Sequence, residues 1–527
     1  MAGPLRDSLV VLAVALAIGS CVGPAAVEGA TKSDGPTLHD SAESSALAER
    51  GDESVAGDGT PRIASSHGLP LPVESSPDAA GESSAESPAE LVAESSAGSD
   101  LPPEVDRPRL GIFVSPRTTI VYAEPAWGTE IRGRIDPDAP FWASAEVEGV
   151  GCEESRWVAV ELGGYVCLKH AVESDEEPAR LPRLPEGQIV PFIYAKPRQD
   201  RQGTLDAEIP RYRSYRHLRR GRGQVDSLVA NRLYAFVERI WRPSVGHIFV
   251  DAEGRAVAGK SLRVQQPSDF FGRDLEQDPP APGLTAGWAV SIPTLLRDKP
   301  SLRRRSKEIG SIAYHERFDV DPEPILGSGV HWYRIPGAGK EGADAYAEAK
   351  QVRVWKPGPV MAGVGDDELW IDVDIKQQIL ALRRGEHTLF ITLVSTGTGS
   401  NPTPRGIFRI RNKLALGKMQ NKPEDPDSYY VEAVPWVQYF YRRYAFHATY
   451  WHRGLGRRRS HGCINLAPRD AAYIFAQTTP NVPKGWTTAY EYADVPGTVA
   501  RIRRGDDKLV DHRRSLSDEV DGADAGE

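Results

Sequence analysis

Beyond Leu110 the apolar residues of this chain arrive in short runs rich in β-branched and aromatic side chains, with Gly and Pro between them. Examples are Leu110-Gly111-Ile112-Phe113-Val114, Thr118-Thr119-Ile120-Val121-Tyr122, Phe141-Trp142-Ala143, Arg156-Trp157-Val158-Ala159-Val160 and Gly164-Tyr165-Val166-Cys167. Runs of this length and composition suit pleated, half-buried strands. A mainly β fold made of small sheets is therefore expected. At 527 residues the chain also exceeds what one hydrophobic core organises, so several domains are expected.

The N-terminus differs. Arg6 precedes the apolar run Leu9 to Ile18, and Gly19-Ser20-Cys21 follows, the order of a secretory signal with small residues at its cleavage point. The run is too short to span a bilayer permanently, and no other segment is apolar for long enough to cross one. Ile18-Gly19-Ser20-Cys21 resembles the lipobox of bacterial lipoproteins, which implies a lipoprotein-type signal over residues 1–26, lipidation at Cys21 and export to the periplasmic side of the envelope. Residues 27–108 are Ser, Ala, Glu and Pro with almost no large apolar side chains. Such a stretch buries too little surface to offset its ordering entropy and reads as a tether. The net charge of −9, partly from this acidic third, argues against a nucleic-acid partner and implies no polyanion.

Residues 109–180 read as a small β-barrel or roll. The pattern Trp157-Val158-Ala159-Val160 followed by Gly164-Tyr165-Val166 resembles bacterial SH3-like modules, which implies a positioning or wall-binding element. Residues 181–365 read as a β-rich accessory region of unknown role, with strands at Pro191–Ala195, Gly246–Val250 and Gly287–Val290. A second SH3-like unit is read as ending in Val330–Arg334 and Val352–Trp355. The basic run Arg211–Arg220 reads as a solvated face balancing acidic neighbours, with contact to an acidic wall polymer as the alternative. A charged tail over 505–527 is expected to be unstructured.

From residue 366 to 504 the β pattern continues. Leu369–Asp374 alternates as a strand, Gln377–Leu382 leads into a hairpin at Arg384-Gly385, and Thr388–Ser395 pairs back. Thr396–Gly406 is a loop. Trp436–Tyr441 and Tyr444–His447 form a second hairpin about Arg442-Arg443, and a short helix opens at Arg469. Val394-Ser395-Thr396-Gly397, Thr403-Pro404-Arg405-Gly406-Ile407-Phe408, His447 and then Ser460-His461-Gly462-Cys463-Ile464-Asn465 resemble, in that order, the L,D-transpeptidase catalytic domain, the YkuD-like family of peptidoglycan enzymes. The resemblance covers a quarter of the chain and implies a β-sandwich or barrel with a short helix.

The chemistry can be argued from the residues as well. A thiol attacks an acyl carbonyl only after losing its proton, so Cys463 needs a base that later returns a proton to the departing amine. His447, His452 and His461 are all candidates on spacing. The resemblance assigns the base to His447, its orientation to the carbonyl of Ala448, and an oxyanion hole to the backbone N–H groups of His461 and Gly462 with that of Cys463. Ser460, Asn465, Arg469, Tyr439, Tyr450, Trp451 and His452 are the candidate substrate-binding and site-shaping residues. For the aromatic residues a core position is the competing reading, and for Arg469 an ion pair. With Cys463 catalytic and Cys21 lipidated, Cys152 and Cys167 remain as a disulfide pair in an oxidising compartment. The His and Cys spacing fits no zinc motif, so neither metal nor cofactor is expected.

The activity implied is formation of 3→3 cross-links between peptidoglycan stem peptides through a Cys463 thioester, with no obligate protein partner evident. Three alternatives remain at this point: an L,D-carboxypeptidase, a hydrolase of wall-to-protein linkages, and a non-catalytic wall-binding lipoprotein.

Overall fold

The computed structural model describes residues 110–153, 155–199, 208–421, 429–505 and 508–513. The signal, Cys21 and the tether lie outside the described residues. Among the described residues no helix is long and apolar enough to cross a membrane.

The protein is mainly β, and its described part opens with one architecture used three times, over 111–173, 193–264 and 285–354. In the first unit the strands are Gly111–Val114, Thr119–Tyr122, Ile131–Ile135, Phe141–Ala143, Ala145–Val147, Trp157–Val160, Gly164–Cys167 and Val172–Glu173. The first strand pairs antiparallel with the fourth and eighth. The second pairs with the third and seventh, and the sixth with the fifth and seventh. The other two units repeat every one of these pairings. Each therefore folds a three-stranded sheet against a five-stranded one. The core between them holds Phe113, Val121 and Val158 in the first unit, Phe236, Phe249 and Val257 in the second, and Leu296, Val320 and Ile335 in the third. Cys152 and Cys167 are bonded, with sulfurs 2.03 Å apart.

The sequence reading missed the second repeat. Its strands mix charge among apolar residues, as in Ile209-Pro210-Arg211-Tyr212, where Arg211 takes a buried position, and this masks the apolar rhythm. Part of the basic run folds as the helix Tyr215–Arg220, which Gly221 ends in the left-handed conformation (φ 61°).

The C-terminal region numbers its strands β1 (Leu369–Asp374), β2 (Ile379–Arg384), β3 (His387–Leu393), β4 (Gly406–Arg409), β5 (Asn412–Gln420), β6 (Tyr430–Tyr441), β7 (Tyr444–Ala448), β8 (Ile464–Leu466), β9 (Trp486–Tyr490) and β10 (Val499–Arg503), with helix α1 at Pro468–Gln477. One sheet runs β3-β2-β1-β10-β4. The other is built on β6-β5-β9, and β7 and β8 extend it from β6. Between sheets and helix lies a core that includes Ile371, Leu382, Phe408, Phe440, Phe446, Ile464 and Ile474.

The boundaries expected near 180 and 365 fall between strands, and sheets continue across them. Gly133–Ile135 of the first unit pairs with β9, whose Trp486 fills that unit's core. Arg232-Leu233 of the second unit pairs parallel with the start of β6. Arg273-Asp274, ahead of the third unit, pairs with β3. The third unit itself packs Trp288, Val290 and Trp355 against Ile379, Ile391, Leu393 and Leu455.

The tail also departs from expectation. Val510 and His512 bond to both sides of Ile407 on the edge strand β4, and the His512 ring stacks on Phe408 at 5.0 Å. An edge strand leaves backbone donors and acceptors open, and this segment satisfies them.

Candidate active site

Two backbone decisions bring the site together. The hairpin β6/β7 sets His447 near the end of β7, and β8 returns parallel to β7 with His447 opposite Asn465 and Phe446 opposite Ile464. Cys463 stands one residue ahead of β8. Strands about 4.8 Å apart with a rise near 3.3 Å per residue put the Cα atoms of His447 and Cys463 about 8 Å apart.

His447 is buried (2 % exposed). Its Nδ1 lies 3.0 Å from the carbonyl of Ala448. A carbonyl only accepts, so Nδ1 carries the proton and Nε2 keeps its lone pair. Burial pushes the ring's pKa down to about 4, leaving it neutral near pH 7. Burial likewise pushes the Cys463 thiol up to about 11, against the pull of the Ala445 backbone and the Arg443 charge. The thiol donates to the carbonyl of Arg443 at 3.8 Å. The resting pair is therefore a neutral thiol and a neutral imidazole.

The turn ahead of Cys463 is closed by hydroxyls. Ser460 Oγ donates to the carbonyl of Cys463 (2.5 Å) and accepts the N–H of Gly462 (3.0 Å). Thr403 Oγ1 donates to the carbonyl of Gly462 (2.8 Å) and accepts the N–H of Gly397 (2.9 Å). Gly462 has φ +115°, and a Cβ there would stand 2.4 Å from the Tyr444 ring, so only glycine fits. The N–H of Gly462, expected in the oxyanion hole, is bonded to Ser460 Oγ, and Ser460 shapes the turn. The N–H groups of His461 and Cys463 have no acceptor among the described residues.

The remaining candidates divide. Trp451 stacks on His447 at 5.7 Å between centroids. The amide of Asn465 meets His452 Nε2 at 3.0 Å, and His452 Nδ1 accepts the N–H of Gly454. Burial, then the charges of Arg459 and His447, push His452 down to about 4. The His461 ring is exposed and lies on Tyr429, 4.7 Å between centroids. Tyr450 is core and lines no cleft: fully buried, it stacks on Tyr194 at 3.4 Å and donates to the Glu432 carbonyl. Tyr439 packs half-buried against the same cluster. Arg469 holds its guanidinium 5.0 Å from the Phe271 ring centroid, where an acidic partner was expected.

Sequence reasoning passed over three contributors. Tyr429 has its phenol raised to about 12, first by burial and then by the adjacent Cys463. No motif marks it. Thr403 sits inside the quoted Thr-Pro-x-Gly pattern, but its grip on Gly462 appears only in three dimensions. The third repeat supplies the last. It clamps the loop that leads into Ser460. Tyr314 donates to the Arg453 carbonyl (3.2 Å), His315 Nε2 to Leu455 (3.2 Å) and Arg353 Nε to Gly456 (2.9 Å), and Arg457 Nε returns a bond to Val290 (3.0 Å). Leu455 itself is fully buried.

Residues 368–500 match the family model of YkuD, described as the L,D-transpeptidase catalytic domain. The resemblance read from the Ser460–Asn465 motif is borne out by this match. A curated relative, the putative L,D-transpeptidase YciB of Bacillus subtilis, is 26% identical over 129 residues, which is 22% of this chain and 62% of that protein. The chain thus spans less than two thirds of that relative. Similar solved structures include an L,D-transpeptidase from Mycobacterium smegmatis, at 21% identity, 31% of this chain, 75% of that chain and TM-score 0.22. Another is L,D-transpeptidase 3 from Mycobacterium tuberculosis, at 17% identity, 31% of this chain, 74% of that chain and TM-score 0.22. Overlaps of that extent carry no argument about this chain.

Proposed function

We propose that this protein is a peptidoglycan L,D-transpeptidase acting through Cys463, secreted and held to a membrane by a lipid on Cys21. The observation that carries this reading is the His447 ring, fixed by the Ala448 carbonyl with Nε2 unprotonated, on the strand beside the thiol. Because both groups rest neutral, the proton moves as the sulfur attacks. His447 Nε2 takes it while the Cys463 sulfur bonds to the carbonyl carbon at the L-centre of the third residue of a tetrapeptide stem. The oxyanion is met by the free N–H groups of Cys463 and His461. Collapse breaks the bond to the terminal D-alanine, whose amine leaves with the proton from His447, and a thioester remains. The amine of a second stem attacks the thioester and loses its proton to His447; the carbon–sulfur bond breaks, the Cys463 sulfur takes that proton back, and a 3→3 amide is left. Water in place of that amine makes the reaction an L,D-carboxypeptidase.

The test is mass spectrometry of tetrapeptide muropeptides incubated with the full chain. Cross-linked dimers support the reading, tripeptide monomers alone assign the carboxypeptidase, and unchanged substrate with an intact fold overturns both.

A further inference from the structure

The net charge of −9 conceals a sharp division. Residues 193–264, the second repeat, carry 15 Lys and Arg against 7 Asp and Glu, while residues 111–173, the first, carry 5 against 10. Within the second repeat, Asp226, Asp251 and Glu253 are taken by Arg211 and Arg255. Arg232 pairs with Glu432 outside the repeat, and four further cations gather around one concave pocket of about 460 Å³ with Phe249 and Leu262 in its lining.

Arg198, Arg239, Lys260 and Arg263 line this pocket, all exposed, and none has a carboxylate partner among the described residues. Two of them are pre-positioned. Arg198 donates Nε to the carbonyl of Leu262 and Arg239 donates Nε to His247 Nδ1, both at 3.1 Å. Each guanidinium is thus held by its stem side with its terminal nitrogens free. The His247 ring, whose Nδ1 accepts, presents an Nε2–H as a further donor. Beside the pocket stands Trp241, opposite His247 across the hairpin and 58% exposed. A tryptophan left in water on a strand that also bears Arg239 on the same face gives a flat stacking surface next to a cationic hole.

The other repeats give the same hairpin other surfaces. In the first it bears Glu146, paired with Arg156. In the third it exposes Ile325 and Leu326. The cationic and aromatic pairing therefore belongs to the second repeat's own side chains, since the scaffold is common to all three.

We propose that this pocket binds an anionic glycan, with a sugar ring on Trp241 and its carboxylate or phosphate groups on Arg198, Arg239, Lys260 and Arg263. Guanidinium forks grip such groups bidentately. Cations without acid partners give up little on binding them, and the attachment weakens with salt. The site stands apart from Cys463 and supplies a hold on the polymer in which the reaction takes place.

The experiment is calorimetric titration of the full chain with polygalacturonate, a phosphomannan, neutral dextran and inorganic polyphosphate at two salt concentrations. Binding of a charged glycan and not of dextran is expected; the stronger of polygalacturonate and phosphomannan assigns carboxylate or phosphate. Arg239→Glu with Lys260→Glu should weaken it at least tenfold. Trp241→Ala should weaken glycan at least threefold while leaving polyphosphate unchanged. Turnover of soluble muropeptides should be unaltered in both variants, which also reports that they fold. The proposal fails if neither charged glycan binds, if the variants bind as the parent does, or if anionic phospholipid vesicles compete as tightly as glycan.

Discussion

Asp470 offers a sharp test of how α1 is held. Its carboxyl is fully buried, accepts the N–H of Gly272 at 2.8 Å and the hydroxyl of Thr392, and is raised by burial to about 7. A carboxyl with a folded pKa above its unfolded 3.8 keeps its proton in the native state after the unfolded chain has lost it. Its contribution to stability is therefore complete below about pH 4 and is lost as pH rises to about 7. At 1.36 kcal/mol per unit, a shift of that size is worth on the order of 4 kcal/mol, of which about 2 is lost between pH 5 and pH 7 and about 3 by pH 8. Asp470→Asn keeps an acceptor for Gly272 and a group for Thr392 without the titration. His447 and His452, both held to about 4, act oppositely: their contribution is present above about 6.5 and lost as pH falls to about 4. The difference between variant and parent cancels them. Urea unfolding followed by tryptophan fluorescence from pH 5 to 8 should show Asp470→Asn gaining about 3 kcal/mol on the parent across that range. A difference that stays flat with pH would refute the buried-carboxyl argument.

Three further outcomes are expected. Cys463→Ala should abolish muropeptide turnover and His447→Ala should lower it nearly as far, with circular dichroism unchanged; full activity in His447→Ala together with its loss in His461→Ala would move the base. Lys413 is fully buried and gives its ammonium to the carbonyls of Phe475 (2.6 Å) and Thr478 (2.7 Å) at the end of α1. Lys413→Met strands both acceptors and should cost about 3 kcal/mol in chemical denaturation. Leu455→Ala, in the loop clamped by the third repeat, should cost about 3 kcal/mol and reduce kcat far more than it raises KM, because a loop displaced by about 1 Å misaligns the thiol.

How much of this was legible in the sequence depends on range. The hairpin about Arg442-Arg443 and the alternation of Leu369–Asp374 are local patterns, and both emerge in the structure, β6 and β1 included. The helix expected to open at Arg469 opens one residue earlier, at Pro468. Tyr450 could not be read, because whether an aromatic residue lines a cleft or a core depends on Tyr194, more than 250 residues away. Ser460 and Gly462 were recognised as a motif, but the Gly462 carbonyl is held by Thr403, far off in sequence, and spacing does not reveal that bond. The second repeat stayed hidden because charged residues interrupt its strands, Arg211 even at a buried position, so that its composition reads as a charged loop. Identical pairing order across three stretches is a property of topology and leaves little trace in residue identity.

The sheet that runs from the first repeat through β9, β5 and β6 into the second has a practical consequence. A fragment cut at residues 366 and 504 would carry two naked strand borders and an uncovered Trp486 indole, conditions under which sheets recruit one another and precipitate. The reactive unit is indivisible from its flanks, so any recombinant version meant to stay monomeric has to start no later than Leu110.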